Sequence, residues 1–126
     1  MADKKIFIVD DDAMLATMLA DHVRGTTPHQ VSVFHTGEEC LAQLHLHPDL
    51  VILDYYLNSV VKDAADGMRI LEKIKKLDRQ VHVIMLSSQT QYGIALQTVQ
   101  KGAEQYVIKG KDQFDEIDRL VKEMLG

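Results

Sequence analysis

Five times over, the chain follows a short continuous apolar run with a longer segment whose apolar residues recur at helical spacing. The runs lie at residues 6–9, 31–34, 50–53, 81–86 and 105–108. They are rich in Ile and Val and show little apolar–polar alternation, so they read as strands buried on both faces. The first helical segment, 13–24, carries Met14, Leu15, Met18, Leu19 and Val23 on its apolar pattern. A second opens at Thr36 and its unit closes by Pro48. Met68, Ile70, Leu71, Ile74 and Leu77 mark the third, 92–101 is the fourth, and 114–125 is the fifth. Phe114, Ile117, Leu120, Val121, Met124 and Leu125 form the apolar face of the fifth. Asp12 suits an N-cap, Thr36 and Glu39 have capping-box spacing, and Gly102 suits the residue just past a helix end. Strictly alternating strands and helices predict a parallel sheet covered on both faces, a doubly wound α/β domain of five strands.

With 126 residues the chain is sized for one domain, and a single domain over 1–126 is expected. The formal net charge is -5, which argues against nucleic acid as a direct partner, because phosphate binding needs clustered Lys and Arg. Cys40 is the single cysteine, so neither a disulfide framework nor a cysteine zinc site is available. The opening "MADKK" runs into a strand with no signal-peptide pattern, and no apolar stretch approaches membrane-spanning length. A cytoplasmic location and no membrane partner are therefore expected.

Ligands of open parallel sheets bind beyond the carboxyl ends of the strands, where strand order reverses. The residues that follow each strand are therefore the ones to weigh. Asp10 and Asp11 follow the first, Asp54 the third, Ser87 and Ser88 the fourth, and Lys109 the fifth. His35 follows the second and has no obvious place in this set. Three close carboxylates repel one another, and a hard divalent cation relieves that repulsion. Mg²⁺ takes oxygen ligands, keeps several waters and completes its shell with phosphate oxygens. One carboxylate could instead act as a nucleophile, with a Lys and a hydroxyl holding the phosphoryl oxygens.

"IFIVDDD", "LVILDYYL", "VIMLSS" and "YVIKG", in this order and at these separations, resemble the four signatures of bacterial two-component response-regulator receiver domains. The resemblance covers essentially the whole chain. It implies a flavodoxin-like (βα)5 sheet of order 2-1-3-4-5. It implies that Asp54 is the phosphoacceptor, that Asp11 ligates Mg²⁺ directly, and that Asp10 acts on the metal mainly through water. Tyr56 matches the position that gives the metal a backbone carbonyl. Ser87 matches the switch hydroxyl, Lys109 the lysine that pairs with the phosphoryl group, and Tyr106 the aromatic whose orientation follows the switch. The implied activity is phosphotransfer from a histidine kinase or a histidine phosphotransfer protein to Asp54, then hydrolysis. The domain is thus a signalling module that promotes its own phosphorylation and dephosphorylation rather than a dedicated enzyme. The implied partners are that kinase and a downstream output protein or domain, with a phosphorylation-dependent dimer also compatible. No output domain is expected within the chain.

Three departures from the family pattern stand out. Asn58 holds a position where receivers commonly have proline, and Asp66-Gly67 arrives 13 residues after Asp54, later than in most receivers. An insertion within 58–65 follows, and its place at the rim suggests a flap over Asp54. Gly110 stands where proline often follows the lysine. A trans Lys109–Gly110 bond is therefore expected, since cis costs about 2.5–4 kcal/mol before a non-proline residue.

Rival functions fit less well. A phosphatase of the haloacid-dehalogenase type needs a second Asp two residues after the first, and that position is Tyr56. A nucleotide-binding protein calls for a glycine-rich phosphate loop, and none is present. A phosphorylation-independent interaction module would have no need of the full acidic set. Elsewhere, His45 and His47 are spaced so that a helix would not bring them to one face. His82 reads as a packed or edge residue, Cys40 as a small buried hydrophobe, and the charges of 115–123 as a mostly solvated face.

Overall fold

The computed structural model describes residues 3–57, 66–88 and 92–126. The 58–65 insertion lies outside the described residues. The strands are β1 (Lys5–Val9), β2 (Gln30–Phe34), β3 (Leu50–Asp54), β4 (His82–Ser87) and β5 (Gln105–Ile108). The helices are α1 (Ala13–Thr26), α2 (Gly37–Ala42), α3 (Gly67–Leu77), α4 (Tyr92–Gln100) and α5 (Gln113–Leu125). All strand pairs are parallel and the order is β2-β1-β3-β4-β5, the flavodoxin-like arrangement expected from the sequence.

Successive strand residues point to opposite faces, so each strand serves two cores. Phe7, Val9, Val51, Leu53, Val83 and Met85 face α2 and α3, where Cys40, Ile70, Leu71 and Ile74 meet them. Ile6, Ile8, Leu50, Ile52, Ile84 and Leu86 face α1 and α5, against Leu19, Ala20, Val23, Ile117, Leu120 and Val121. Each fully buried Ile, Leu or Phe side chain contributes about 1.5–3 kcal/mol. These two layers hold the strands in a register that aligns their carboxyl ends. Val9 lies opposite Leu53, Asp54 opposite Leu86 and Ser87 opposite Ile108.

The predicted caps form. Asp12 accepts from the Leu15 N–H, and Thr36 with Glu39 makes a reciprocal capping box. Gly102 follows α4 at φ 114°, in the left-handed region that favours glycine. No cis peptide bond occurs among the described residues, so Lys109–Gly110 is trans.

Some apolar positions do not fall where helical spacing alone would put them. On α1 the buried face is Ala16, Leu19, Ala20 and Val23, and the two alanines leave room beside the sheet. Met14, Leu15 and Met18 are exposed instead, so the apolar arc of α1 is wider than its contact face. Leu77, at the last turn of α3, is also exposed. Helix α2 stops at Ala42 and a 3-10 turn, Leu44–Leu46, carries the chain on towards β3. Asp118 on α5 is not simply solvated: its carboxylate meets His22 Nε2 on α1 at 2.8 Å. His45 and His47 join no metal-holding group among the described residues.

The chain comes back to the sheet edge at Asp66-Gly67. The Gly67 N–H donates to the Tyr55 carbonyl at 2.8 Å. A Cβ on Gly67 would sit 2.3 Å from the Asp54 carbonyl oxygen and 2.7 Å from the Tyr55 Cα, both backbone atoms with little freedom to move. Gly67→Ala should therefore destabilise by about 1–3 kcal/mol or more. Gly25→Ala, in α1 with nothing within 4 Å of the new Cβ, should stabilise by about 0.5–1 kcal/mol. Urea denaturation of the two variants checks the contrast.

Candidate functional site

Five residues at strand ends build one edge of the sheet. One step past the Val9–Leu53 pair places Asp10 beside Asp54 on the neighbouring strand. Both are 3% exposed. Asp11 follows on the turn into α1 and is half-buried. Carboxylate oxygens of Asp10, Asp11 and Asp54 all lie within 4.8 Å of one another. Lys109, just past β5, reaches across β4 and puts Nζ 2.9 Å from Asp54 Oδ1 and 3.8 Å from Asp10 Oδ2.

Asp54 Oδ1 is fully buried and accepts no aligned hydrogen bond. The Lys109 contact is thus at hydrogen-bonding distance but off the hydrogen-bonding direction, and acts as an ion pair. Ser87 is fully buried at the end of β4, and its carbonyl accepts from the Lys109 N–H at 2.8 Å. Tyr106 lies on β5 opposite Met85 and packs against the α2–α3 side of the core. Tyr56 is 40% exposed on the chain leaving β3, its ring edge-to-face with Tyr55 at 4.9 Å.

The electrostatics are unbalanced. Two unit charges about 5 Å apart repel by roughly 3–4 kcal/mol at an effective dielectric of about 20. One ammonium cannot offset three carboxylates. Burial first, and then the charge of Asp10, push the Asp54 carboxyl up to about 7 despite Lys109. Burial also raises Asp10, against the Asp12 N–H that donates to its Oδ1 at 3.0 Å. Burial works to lower Lys109, but Asp54, Asp10 and Asp11 together outweigh it and hold the ammonium above its ordinary value.

A divalent cation would bring these four groups to neutrality. The donors are all carboxylate oxygens, with no sulfur or imidazole among them, which suits a hard ion such as Mg²⁺. The buried, undirected Asp54 Oδ1 and the open ligand set both fit an ion that keeps water or phosphate in its remaining positions.

Two contacts of the site were not legible as such. The Asp12 backbone N–H holds the Asp10 carboxylate. His35, which had no place among the strand-end residues, puts Nδ1 3.1 Å from the Asp10 carbonyl oxygen. The register could have signalled it, because His35 follows Phe34 as Asp10 follows Val9 on the paired strand.

Residues 6–122 match the family model of the response regulator receiver domain. The chain belongs to this family. This receiver domain is 29% identical over 106 residues to the chemotaxis protein CheY of Bacillus subtilis, covering 83% of the chain and 84% of CheY. It is 33% identical over 107 residues to the DNA-binding response regulator MtrA of Mycobacterium tuberculosis, covering 84% of the chain but 44% of MtrA. The BeF3-activated receiver domain of DrrB, a Thermotoga maritima OmpR/PhoB homolog, is similar in structure. Its TM-score is 0.85 at 26% identity, with 98% of both chains covered. Receiver domains of this family bind Mg²⁺ in an acidic pocket, and the acidic group of this one is Asp10, Asp11 and Asp54. No helix among its described residues is long and apolar enough to cross a membrane.

The raised Asp54 carboxyl gives a pH signature. A folded-state value above the ordinary 3.8 means that protonated Asp54 favours the fold below that value. This contribution is lost as pH rises through about 7. Metal-free protein should lose thermal stability across this window, Asp54→Asn should lose less of it, and Mg²⁺ should restore the wild type at pH 8. Thermal melts with and without Mg²⁺ check all three.

Proposed function

We propose that this receiver domain takes a phosphoryl group from a phosphohistidine donor onto Asp54 and later releases it to water. The observation that carries the reading is the placement of Asp54: buried at the end of β3, beside Asp10, with the Lys109 ammonium 2.9 Å away. An Asp54 carboxylate oxygen attacks phosphorus, an O–P bond forms, and the P–N bond to the donor imidazole breaks. The imidazole leaves and takes up a proton. In hydrolysis, water attacks phosphorus, the Asp54 O–P bond breaks, inorganic phosphate leaves and the carboxylate is regenerated.

Asp10, Asp11, Asp54 and the Tyr56 backbone carbonyl are the groups assigned to hold Mg²⁺, which when bound offsets charge on the phosphoryl oxygens. Lys109 pairs with one phosphoryl oxygen, and the Ser87 hydroxyl moves onto another. Tyr106 sits on the adjacent strand to follow that movement. Positioning and charge neutralisation, rather than proton transfer by a dedicated base, supply the rate.

Exposed apolar residues support two partner faces. Met14, Leu15 and Met18 lie on α1, which starts at the acidic turn itself, and suit the helical surface of a histidine kinase or phosphotransfer protein. Tyr92, Leu96, Val99 and Ile108 are exposed on α4 and β5, on the Ser87 and Tyr106 side of the site. That face suits an output partner or a phosphorylation-dependent second copy. The net charge of -5 speaks against direct contact with nucleic acid by this chain. No observation favours a phosphorylation-independent interaction module.

Incubation with acetyl phosphate and intact-mass measurement test the reading. One phosphoryl group should add in Mg²⁺, none in chelator, and none to Asp54→Asn. Addition to the Asn variant at the wild-type level would contradict it.

A further inference from the structure

The main chain of Asp10 is held from both sides by the end of β2. Its N–H donates to the Phe34 carbonyl at 3.0 Å. In a parallel ladder the carbonyl of the same residue faces the same neighbour and accepts from the N–H two residues beyond that oxygen. Here that donor is Thr36. The capping box of α2 takes it away: the Thr36 N–H donates to the Glu39 carboxylate at 3.2 Å, and so does the His35 N–H, at 3.0 Å. The cap of α2 thus takes the N–H that would otherwise close the ladder. The His35 side chain supplies the missing bond, with Nδ1 3.1 Å from the Asp10 carbonyl oxygen. A carbonyl only accepts, so Nδ1 carries the proton.

The Asp10 carbonyl and the Asp11 N–H share one peptide plane. A donor on that carbonyl fixes the rotation of the plane, and with it the direction in which the Asp11 side chain leaves the backbone. On the other side, the Asp12 N–H holds the Asp10 carboxylate at 3.0 Å. The turn carrying two of the three carboxylates is therefore pinned from the β2–α2 turn as well as from the N-cap of α1. His35 is not itself within the metal-holding group, which contains Asp10, Asp11 and Asp54.

We propose that His35 is a positioning residue for the metal site: its Nδ1–H replaces the ladder bond lost to the α2 cap and sets the Asp10–Asp11 peptide in the orientation that aims the Asp11 carboxylate at the cation. The proposal rests on the reading of the three aspartates as an Mg²⁺ site. It makes cation affinity depend on a side chain that does not touch the cation, as supporting partners of metal ligands commonly do.

The test is a calorimetric Mg²⁺ titration of the phosphate-free wild type, His35→Leu and His35→Asn. Asn keeps an N–H donor at the place of Nδ1, whereas Leu keeps bulk without one. His35→Leu should weaken Mg²⁺ binding by about tenfold, and His35→Asn should recover most of the loss. In metal-free protein, the Asp11 amide signal in a nitrogen–proton correlation spectrum should shift in the Leu variant and return towards wild type in Asn. Those spectra also show that the variants are folded. A wild type that binds no Mg²⁺ overturns the site reading and this inference with it. Wild-type affinity in His35→Leu, or an equal loss in Leu and Asn, overturns this inference alone.

Discussion

Repulsion between carboxylates that the fold forces together is the constraint on which the site depends. Asp10 and Asp54 are each 3% exposed at the ends of adjacent strands, and Asp11 has a carboxylate oxygen within 4.8 Å of both. Water cannot screen them there, and Lys109 offsets a single charge. The edge is therefore relieved by a proton, as the raised Asp54 carboxyl shows, or by a cation, and the proposed phosphoryl transfer would draw on the same imbalance. The raised Asp54 carboxyl expresses the same imbalance in the metal-free molecule.

The rest of the molecule holds those charges in place. Two apolar layers, one on each face of the sheet, fix the register that sets Asp10 beside Asp54 and Ser87 beside Ile108. The Asp54 backbone is closed in by Gly67, whose N–H bonds Tyr55 and whose lack of a side chain allows the contact. Lys109 is tied to Ser87 through its own N–H, so the cation and the hydroxyl belong to one pair of strands. Preorganisation of this kind would leave little reorganisation for the proposed phosphoryl transfer.

The sheet and its strand-end residues were legible in the sequence because strand burial on both faces leaves a continuous apolar run. The polar residue that ends each run is then conspicuous. The caps at Asp12 and at Thr36–Glu39 were legible because they are local. Periodicity failed where it could not measure the width of a contact: Met14, Leu15 and Met18 continue the apolar pattern of α1 beyond the face that meets the sheet. Leu77 failed in the same way at the end of α3. His35 was missed because its role depends on a conflict between the β1–β2 ladder and the α2 cap, which is a tertiary fact.

The central claim is that Asp54, rather than Asp10 or Asp11, becomes the acyl phosphate. Borohydride reduces an acyl phosphate to the alcohol, so trapping the phosphorylated protein and sequencing its peptides by mass spectrometry marks the acceptor directly. The expected result is homoserine at position 54, with Asp10 and Asp11 unchanged. Homoserine at position 10 or 11, or none at 54 in protein that has gained a phosphoryl group, would contradict the claim.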